Sequence, residues 1–222
     1  MDGDTGEAAR TYDRIAEHFA ATREYAWPEV ETFLDERRGA VALDVGCGNG
    51  RHTELLADHA ETVVGLDVSR GLLSEAGARA DDHGFDAALL QGDAASLPLK
   101  RDTVDLAVYV ATLHHLAPRS RRVASLDELA RVLSPKGRAV VSAWSTVHDR
   151  FADGETDGSD GEDTGFDTTV DWTLPGGETV PRFYHIYAPG EFRADLDASS
   201  LMPLDVFVSS GNCYAVVRAE GD

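Results

Sequence analysis

Short runs of apolar residues alternate along the chain with amphipathic stretches. Val41, Ala42, Leu43, Asp44 and Val45 are apolar on both alternations, which predicts a central parallel strand buried on both faces. Runs at Thr62 to Asp67, Ala87 to Gln91, Val104 to Val110 and Arg138 to Trp144 predict four more strands. Between them, helices are predicted over Arg51 to His59, from a Ser69 cap to about His83, and over Arg119 to Leu133. In the last of these, Val123, Leu126, Leu129, Ala130 and Leu133 recur at helical spacing. Thr11 to Ala21 reads as a short N-terminal helix, and Pro28 to Arg38 as another, ended by Gly39. A helix over Pro189 to Ser199 and strands over Asp205 to Val208 and Tyr214 to Arg218 complete the pattern. Five strands alternating with helices, then a closing pair, predict an α/β fold: a Rossmann-like, seven-stranded, mostly parallel sheet with helices on both faces, in a single domain over residues 1–222.

The first strand runs into Gly46, Gly48 and Gly50, a turn in which the backbone can approach a ligand. A dinucleotide fingerprint needs a third small residue where Arg51 stands, so NAD is disfavoured. Asp44 to Gly50, DVGCGNG, resembles instead the first motif of the class I S-adenosylmethionine-dependent methyltransferases. Asp67 ends the second strand, 17 residues beyond Gly50, where an acid can accept both ribose hydroxyls of a nucleoside cofactor.

Composition changes the picture in two places. The chain carries 40 acids against 20 bases, a net charge of −20, with lysine only at positions 100 and 136. A nucleic-acid binder is ordinarily basic. Acid excess with almost no lysine also suits a molar-salt cytoplasm, where self-repulsion is screened within ~3 Å, so global charge loses diagnostic value. What then bears on RNA is local clustering, and Arg119, Arg121 and Arg122 form one such cluster. Two cysteines, Cys47 and Cys213, are too few for a disulfide framework or a cysteine zinc site. No apolar run approaches the ~20 residues needed to span a bilayer, and the acidic start does not read as a signal peptide, so a cytoplasmic protein without membrane contact is expected. Residues 1–10 read as a loose acidic tail. Residues 149–171 hold nine acids and one base, which predicts a mobile acidic insertion.

After the fourth strand comes Ala111-Thr112-Leu113-His114-His115 in place of the N/D-P-P-Y/F sequence of methyltransferases acting on amide or base nitrogens, so such acceptors are disfavoured. Adjacent histidines point in different directions and do not suggest a metal pair. Over nearly the whole chain the signatures resemble the tRNA methyltransferases that esterify 5-carboxymethyluridine at the wobble position. The matching stretches are YDRIAEHFAATREYAWP at 12–28, LDVGCGNGR, LHHL with Arg121-Arg122, DELARVLSPKG, RFYHIYAPGEF at 182–192 and Ser210-Gly211-Asn212. Two departures are the acidic insertion and Lys136-Gly137 where glycine-glycine is usual.

The resemblance implies S-adenosylmethionine contacts from Tyr12, Asp44, Gly46, Cys47, Gly48, Asn49, Gly50, Asp67, Asp93, Ala94 and Val110, with Asp44 near the cofactor's amino group and Asp93 near the adenine. It implies tRNA as substrate and a small zinc-binding activator subunit as heterodimer partner. The chemistry is self-consistent, since a carboxylate is already anionic at neutral pH and methyl transfer to it needs alignment but no general base. Arg23 and Arg182 are the candidates for gripping that carboxylate or nearby phosphates; His114, Tyr184 and His185 are candidates for positioning the uracil ring. A small-molecule O- or C-methyltransferase of the same fold, or a cofactor-binding regulatory subunit without turnover, remain alternative readings.

Overall fold

The computed structural model describes residues 5–152 and 164–220. The chain forms α1 (Thr5–Ala20), α2 (Pro28–Leu34), β1 (Gly39–Val45), α3 (Arg51–Ala57), β2 (Ala60–Asp67), α4 (Arg70–His83), β3 (Ala88–Gln91) and β4 (Val104–Val110). A 3-10 turn at Leu113–His115 leads to α5 (Arg119–Val132) and β5 (Leu133–Trp144). Then come α6 (Asp149–Ala152), β6 (Phe166–Thr173), β7 (Thr179–Ile186), α7 (Pro189–Asp197), β8 (Leu201–Ser209) and β9 (Asn212–Ala219).

Seven strands form one sheet in the order β3-β2-β1-β4-β5-β9-β8, parallel through β5 and antiparallel at β9 and β8. Strand β4 shows why it is buried on both faces: Ala107 and Tyr109 join one core with Leu126 and Leu129 of α5, while Leu106 and Val108 join another with Val30 and Phe33 of α2. The strand order reverses between β1 and β4, and in such sheets the crevice beyond the strand ends at that point is where ligands bind. Ser69 caps α4 as expected, its hydroxyl accepting from the Leu72 amide at 3.1 Å.

Several boundaries differ from the sequence reading, each for a local reason. Residues 5–10 are not a loose tail, because α1 begins at Thr5; residues 1–4 lie outside the described part. What holds this acidic start is tertiary: Asp13 accepts from the Ser69 hydroxyl at 2.7 Å and the Gly71 amide at 2.8 Å, and Thr5 donates to Asp93 at 3.2 Å. The segment 149–171 is likewise ordered at both described ends, as α6 and as β6, while the insertion's centre, 153–163, lies outside the described residues. Strand β6 alternates, with Val170 buried and its neighbours Thr169 and Asp171 exposed, and it pairs with β7 along its length. A count of acids averages over that alternation and hides it. Helix α2 stops at Leu34 instead of Arg38, with Glu36 turning the chain at φ +59 ahead of Gly39, and Pro135 and Gly137 lie within β5.

Candidate active site

The glycine turn is shaped by what lies against it. Gly46 adopts φ +72, and a Cβ there would come within 2.1 Å of the Thr112 side chain, so only glycine lets β1 and the β4 loop close together. Asp67, at the end of β2, reaches back across this turn: one carboxylate oxygen accepts from the Gly48 amide and the other from the Ser69 amide, both at 2.9 Å. Burial pushes its carboxyl above the usual range, while these amides pull the other way.

A cavity opens above the turn, and it gathers Tyr12, Gly46, Cys47, Gly48, Asn49, Asp67, Asp93, Ala94 and Val110. Asp44 and Gly50 are not among its lining residues. Asp44 is buried behind the loop, accepting from the Thr53 hydroxyl at 2.7 Å, with its carboxyl raised to about 7 by desolvation; it braces the turn against α3. Gly50 packs against Ala76 of α4. Asp93 accepts from Arg121 at 2.6 Å and from Thr5, so the acid expected near an adenine is already engaged by an arginine and by α1. The Cys47 thiol is pushed well above its usual range by burial and is a packing group.

The arginine cluster expected as an RNA-facing patch is taken apart by helical geometry. Arg121 enters the cavity, Arg122 is 3% exposed, and Arg119 pairs with buried Asp195 at 2.6 Å. Consecutive helix positions point about 100° apart, so adjacency in sequence did not make one surface.

Tyr12, Phe19, Arg51, Ala111 and His115 line both this cavity and a second chamber of about 550 Å³ beside it. The chamber brings together Arg23, His114, Arg182 and Tyr184 from the sequence reading, and adds Trp27, Trp144 and Arg51. The Arg182 guanidinium lies over Trp172 and Tyr184, 4.9 and 5.1 Å from the ring centroids, and is 6% exposed with no partner on its Nε. Arg23 lies over Phe19 and Trp172, placed by Asn49, which donates to the Arg23 carbonyl at 2.7 Å. Among the described residues neither arginine, nor Arg51, makes an ion pair with an acid. Glu24 is the one acid among the described residues that line the chamber, and its carboxylate bears on the Tyr25 hydroxyl.

The histidines have different fates. His114 Nδ1 accepts from the Trp144 amide at 3.0 Å, and its ring stacks on Tyr184 at 4.8 Å; burial above all holds its pKa well below the ordinary value. His115 Nδ1 lies 2.8 Å from the Phe183 carbonyl and Nε2 lies 2.8 Å from the Tyr12 hydroxyl, an arrangement that a ring protonated on Nδ1 satisfies, and burial drops its pKa to about 3. Both rings are neutral. His185 is a correction: it does not line the chamber. Strand β7 alternates, so Arg182 and Tyr184 face the chamber and His185 faces away, 2.7 Å from Asp167 and 3.0 Å from Glu191. There it fastens the β6–β7 hairpin to α7.

Arg51, Trp144 and Trp172 carried no sequence signal of their own, since their meeting depends on the glycine turn, the end of β5 and the hairpin arriving at one place.

The methyltransferase-domain family model matches residues 43–141, the glycine turn through β5. A tRNA (carboxymethyluridine(34)-5-O)-methyltransferase of Arabidopsis thaliana is 36% identical over 61% of this chain, which spans only 32% of that relative's length. A putative methyltransferase of Encephalitozoon cuniculi is 33% identical across 94% of this chain and 93% of its own. Among solved structures, the complex of DhpI with SAH aligns at TM-score 0.71 with 21% identity, covering 98% of this chain and 97% of that one. The putative methyltransferase in complex with the Haloferax volcanii Trm112 methyltransferase activator aligns at 0.70 with 16% identity, covering 97% and 98%. Full-length similarity to one methyltransferase, on a sheet whose strand order and glycine crevice are those of this fold, shows that the chain belongs to the class I S-adenosylmethionine-dependent methyltransferases.

Proposed function

We propose that the chain O-methylates the carboxylate of 5-carboxymethyluridine at the wobble position of tRNA, forming the methyl ester. The observation that carries this reading is the chamber: three arginines that make no ion pair with an acid among the described residues, flanked by Trp172, Tyr184 and Trp144, in a chain with twice as many acids as bases. An acceptor with a flat ring and a carboxylate supplies what such a chamber lacks.

The cavity at the glycine turn fits the cofactor, because Asp67 presents both oxygens, each with one amide partner, beside a backbone without side chains at Gly46 and Gly48. When bound, S-adenosylmethionine supplies an electrophilic methyl group. The chain's own residues do the rest. Arg182 and Arg23 grip the acceptor carboxylate, for which the planar guanidinium fork is suited. Tyr184, held against His114 and Trp144 and lying under Arg182, keeps that guanidinium in place at the chamber, where its ring edge bounds the space for the base. His115 fixes the Tyr12 hydroxyl at the wall between the two spaces. Neither neutral histidine is needed as a base, because the acceptor is ionised before it arrives; alignment alone is worth up to ~7 to 11 kcal/mol.

We also infer that the chain works with a small zinc-binding activator. Edge strand β8 exposes Met202, Leu204 and Val208 at 36, 48 and 44%, an apolar edge that a partner would cover. Co-expression with such a subunit is then expected to raise soluble yield and activity; a fully active lone chain would refute the partner. The test of the substrate is mass spectrometry of wobble nucleosides from wild-type and deletion-strain tRNA. Loss of the methyl ester with accumulation of the free acid is expected, and an unchanged nucleoside profile would refute the reading.

A further inference from the structure

Arg51 has no role in gripping the acceptor carboxylate. It follows the glycine turn directly and lines both the cofactor cavity and the acceptor chamber. Its guanidinium lies 5.4 Å over the Trp27 ring, and among the described residues its hydrogen bonding is a long 3.4 Å donation to the Tyr25 carbonyl. No acid pairs with it among the described residues. The nearest candidate counter-charge, Asp44, is turned to Thr53 and raised to about 7, so it is not a full anion at neutral pH. Burial and neighbouring Arg23 lower the Arg51 pKa to about 10, the behaviour of a cation whose site lacks an anion.

The cavity has a direction that says which anion. Asp67, with both oxygens at the end of β2, suits ribose hydroxyls, and the Asp93–Arg121 pair closes the end near α1. The methyl group must leave toward the chamber, which places the sulfur near the shared wall of Tyr12, Ala111, His115 and Arg51. Beyond the sulfur the cofactor carries a zwitterionic amino-acid tail, whose carboxylate must then lie at that wall.

We infer that Arg51 holds the α-carboxylate of the cofactor's methionine end, and so sets the position of the sulfur relative to the acceptor chamber. Arg23 and Arg182 are thereby left for the acceptor's own anion. The inference rests on the cofactor assignment and is independent of which acceptor the chamber takes.

The test is a binding comparison without turnover. S-adenosylhomocysteine carries the tail, and 5′-methylthioadenosine lacks it; both are titrated calorimetrically against wild type, Arg51→Ala and Arg51→Lys at one salt concentration. A lost charge-assisted contact is expected to weaken S-adenosylhomocysteine by about 10- to 100-fold in Arg51→Ala. Methylthioadenosine is expected to bind all three proteins equally, and Arg51→Lys to fall between the other two for S-adenosylhomocysteine. Unchanged S-adenosylhomocysteine affinity in Arg51→Ala would overturn the inference, and so would equal weakening of both ligands. A failure of tRNA methylation would leave this result standing, because no acceptor enters the titration.

Discussion

At the strand ends the cofactor cavity and the acceptor chamber share a wall but treat charge differently. In the cavity the acids are answered by the protein itself: Asp67 by the Gly48 and Ser69 amides, Asp93 by Arg121 and Thr5. In the chamber Arg23 and Arg182 are stacked on aromatic rings, and among the described residues neither makes an ion pair with an acid. A desolvated cation without a counter-ion costs free energy in the empty protein, and an anionic ligand returns it. On the proposed reading the acids of the cavity are set ahead of its ligand, whereas Arg51 on the shared wall and the two chamber arginines gain their counter-charges from what binds.

That difference puts the largest expected effect in the chamber. Arg182→Ala should lower single-turnover methyl transfer by ~100-fold or more, since a misplacement of about 1 Å can cost that much. Cofactor affinity should stay near wild type. Arg182→Lys should restore part of the rate, because an ammonium keeps the charge and loses the fork. Wild-type transfer by the alanine variant would make Arg182 an ordinary buried cation.

Asp67→Ala probes the other side of the wall. Losing charge-assisted bonds should weaken S-adenosylmethionine by about 10- to 100-fold, with acceptor KM little changed. An unaltered cofactor isotherm would remove Asp67 from the site.

A smaller effect is expected from His185→Ala, which removes the cross-strand contact with Asp167 and cuts the hairpin's link to Glu191 of α7. Thermal melts should show a loss of about 1 to 3 kcal/mol, and the acceptor KM should rise while the cofactor affinity holds, because the hairpin carries Arg182 and Tyr184. Equal loss of both affinities would mean that the hairpin supports the two spaces alike.

The pH dependence gives the smallest expected change in rate. His115 and His52 are both lowered to about 3 by burial. Each binds its proton more readily unfolded than folded, so the stability it contributes is present above pH 6.5 and is lost as pH falls from there toward 3. Asp44 works oppositely: its raised carboxyl, near 7, costs stability as pH climbs from about 4 toward 7. The rate of transfer should be flat between pH 6 and 8 while melting temperature falls on acidification below 6.5. A histidine-like step in the rate would reinstate a base.

How much of this was readable from residues follows the same division. The glycine turn, Asp67 and the five parallel strands are local patterns, and β4 stands at Val104–Val110 as its apolar run indicates. The chamber is assembled from distant pieces. Arg23 comes from the segment after α1, Trp144 from β5 and Arg182 from β7. Family resemblance pointed to RFYH, but which of its side chains face inward depends on the hairpin's alternation, and that assigned His185 wrongly. Nor could spacing show that Arg121 meets Asp93 and Thr5, because this contact needs α1 laid across the strand ends.

The central claim is that the open chamber takes the acceptor's carboxylate, and its most direct measurement follows the methyl group itself. The purified protein, alone and with the proposed activator subunit, is incubated with S-adenosylmethionine labelled in the methyl and with tRNA that either bears or lacks 5-carboxymethyluridine. Esters are cleaved by mild base, whereas methyl groups on ring nitrogen or carbon are not. Label is expected only on the carboxymethylated tRNA, all of it released by mild base. Label that survives base, or equal labelling of the tRNA without the carboxylate, would contradict it.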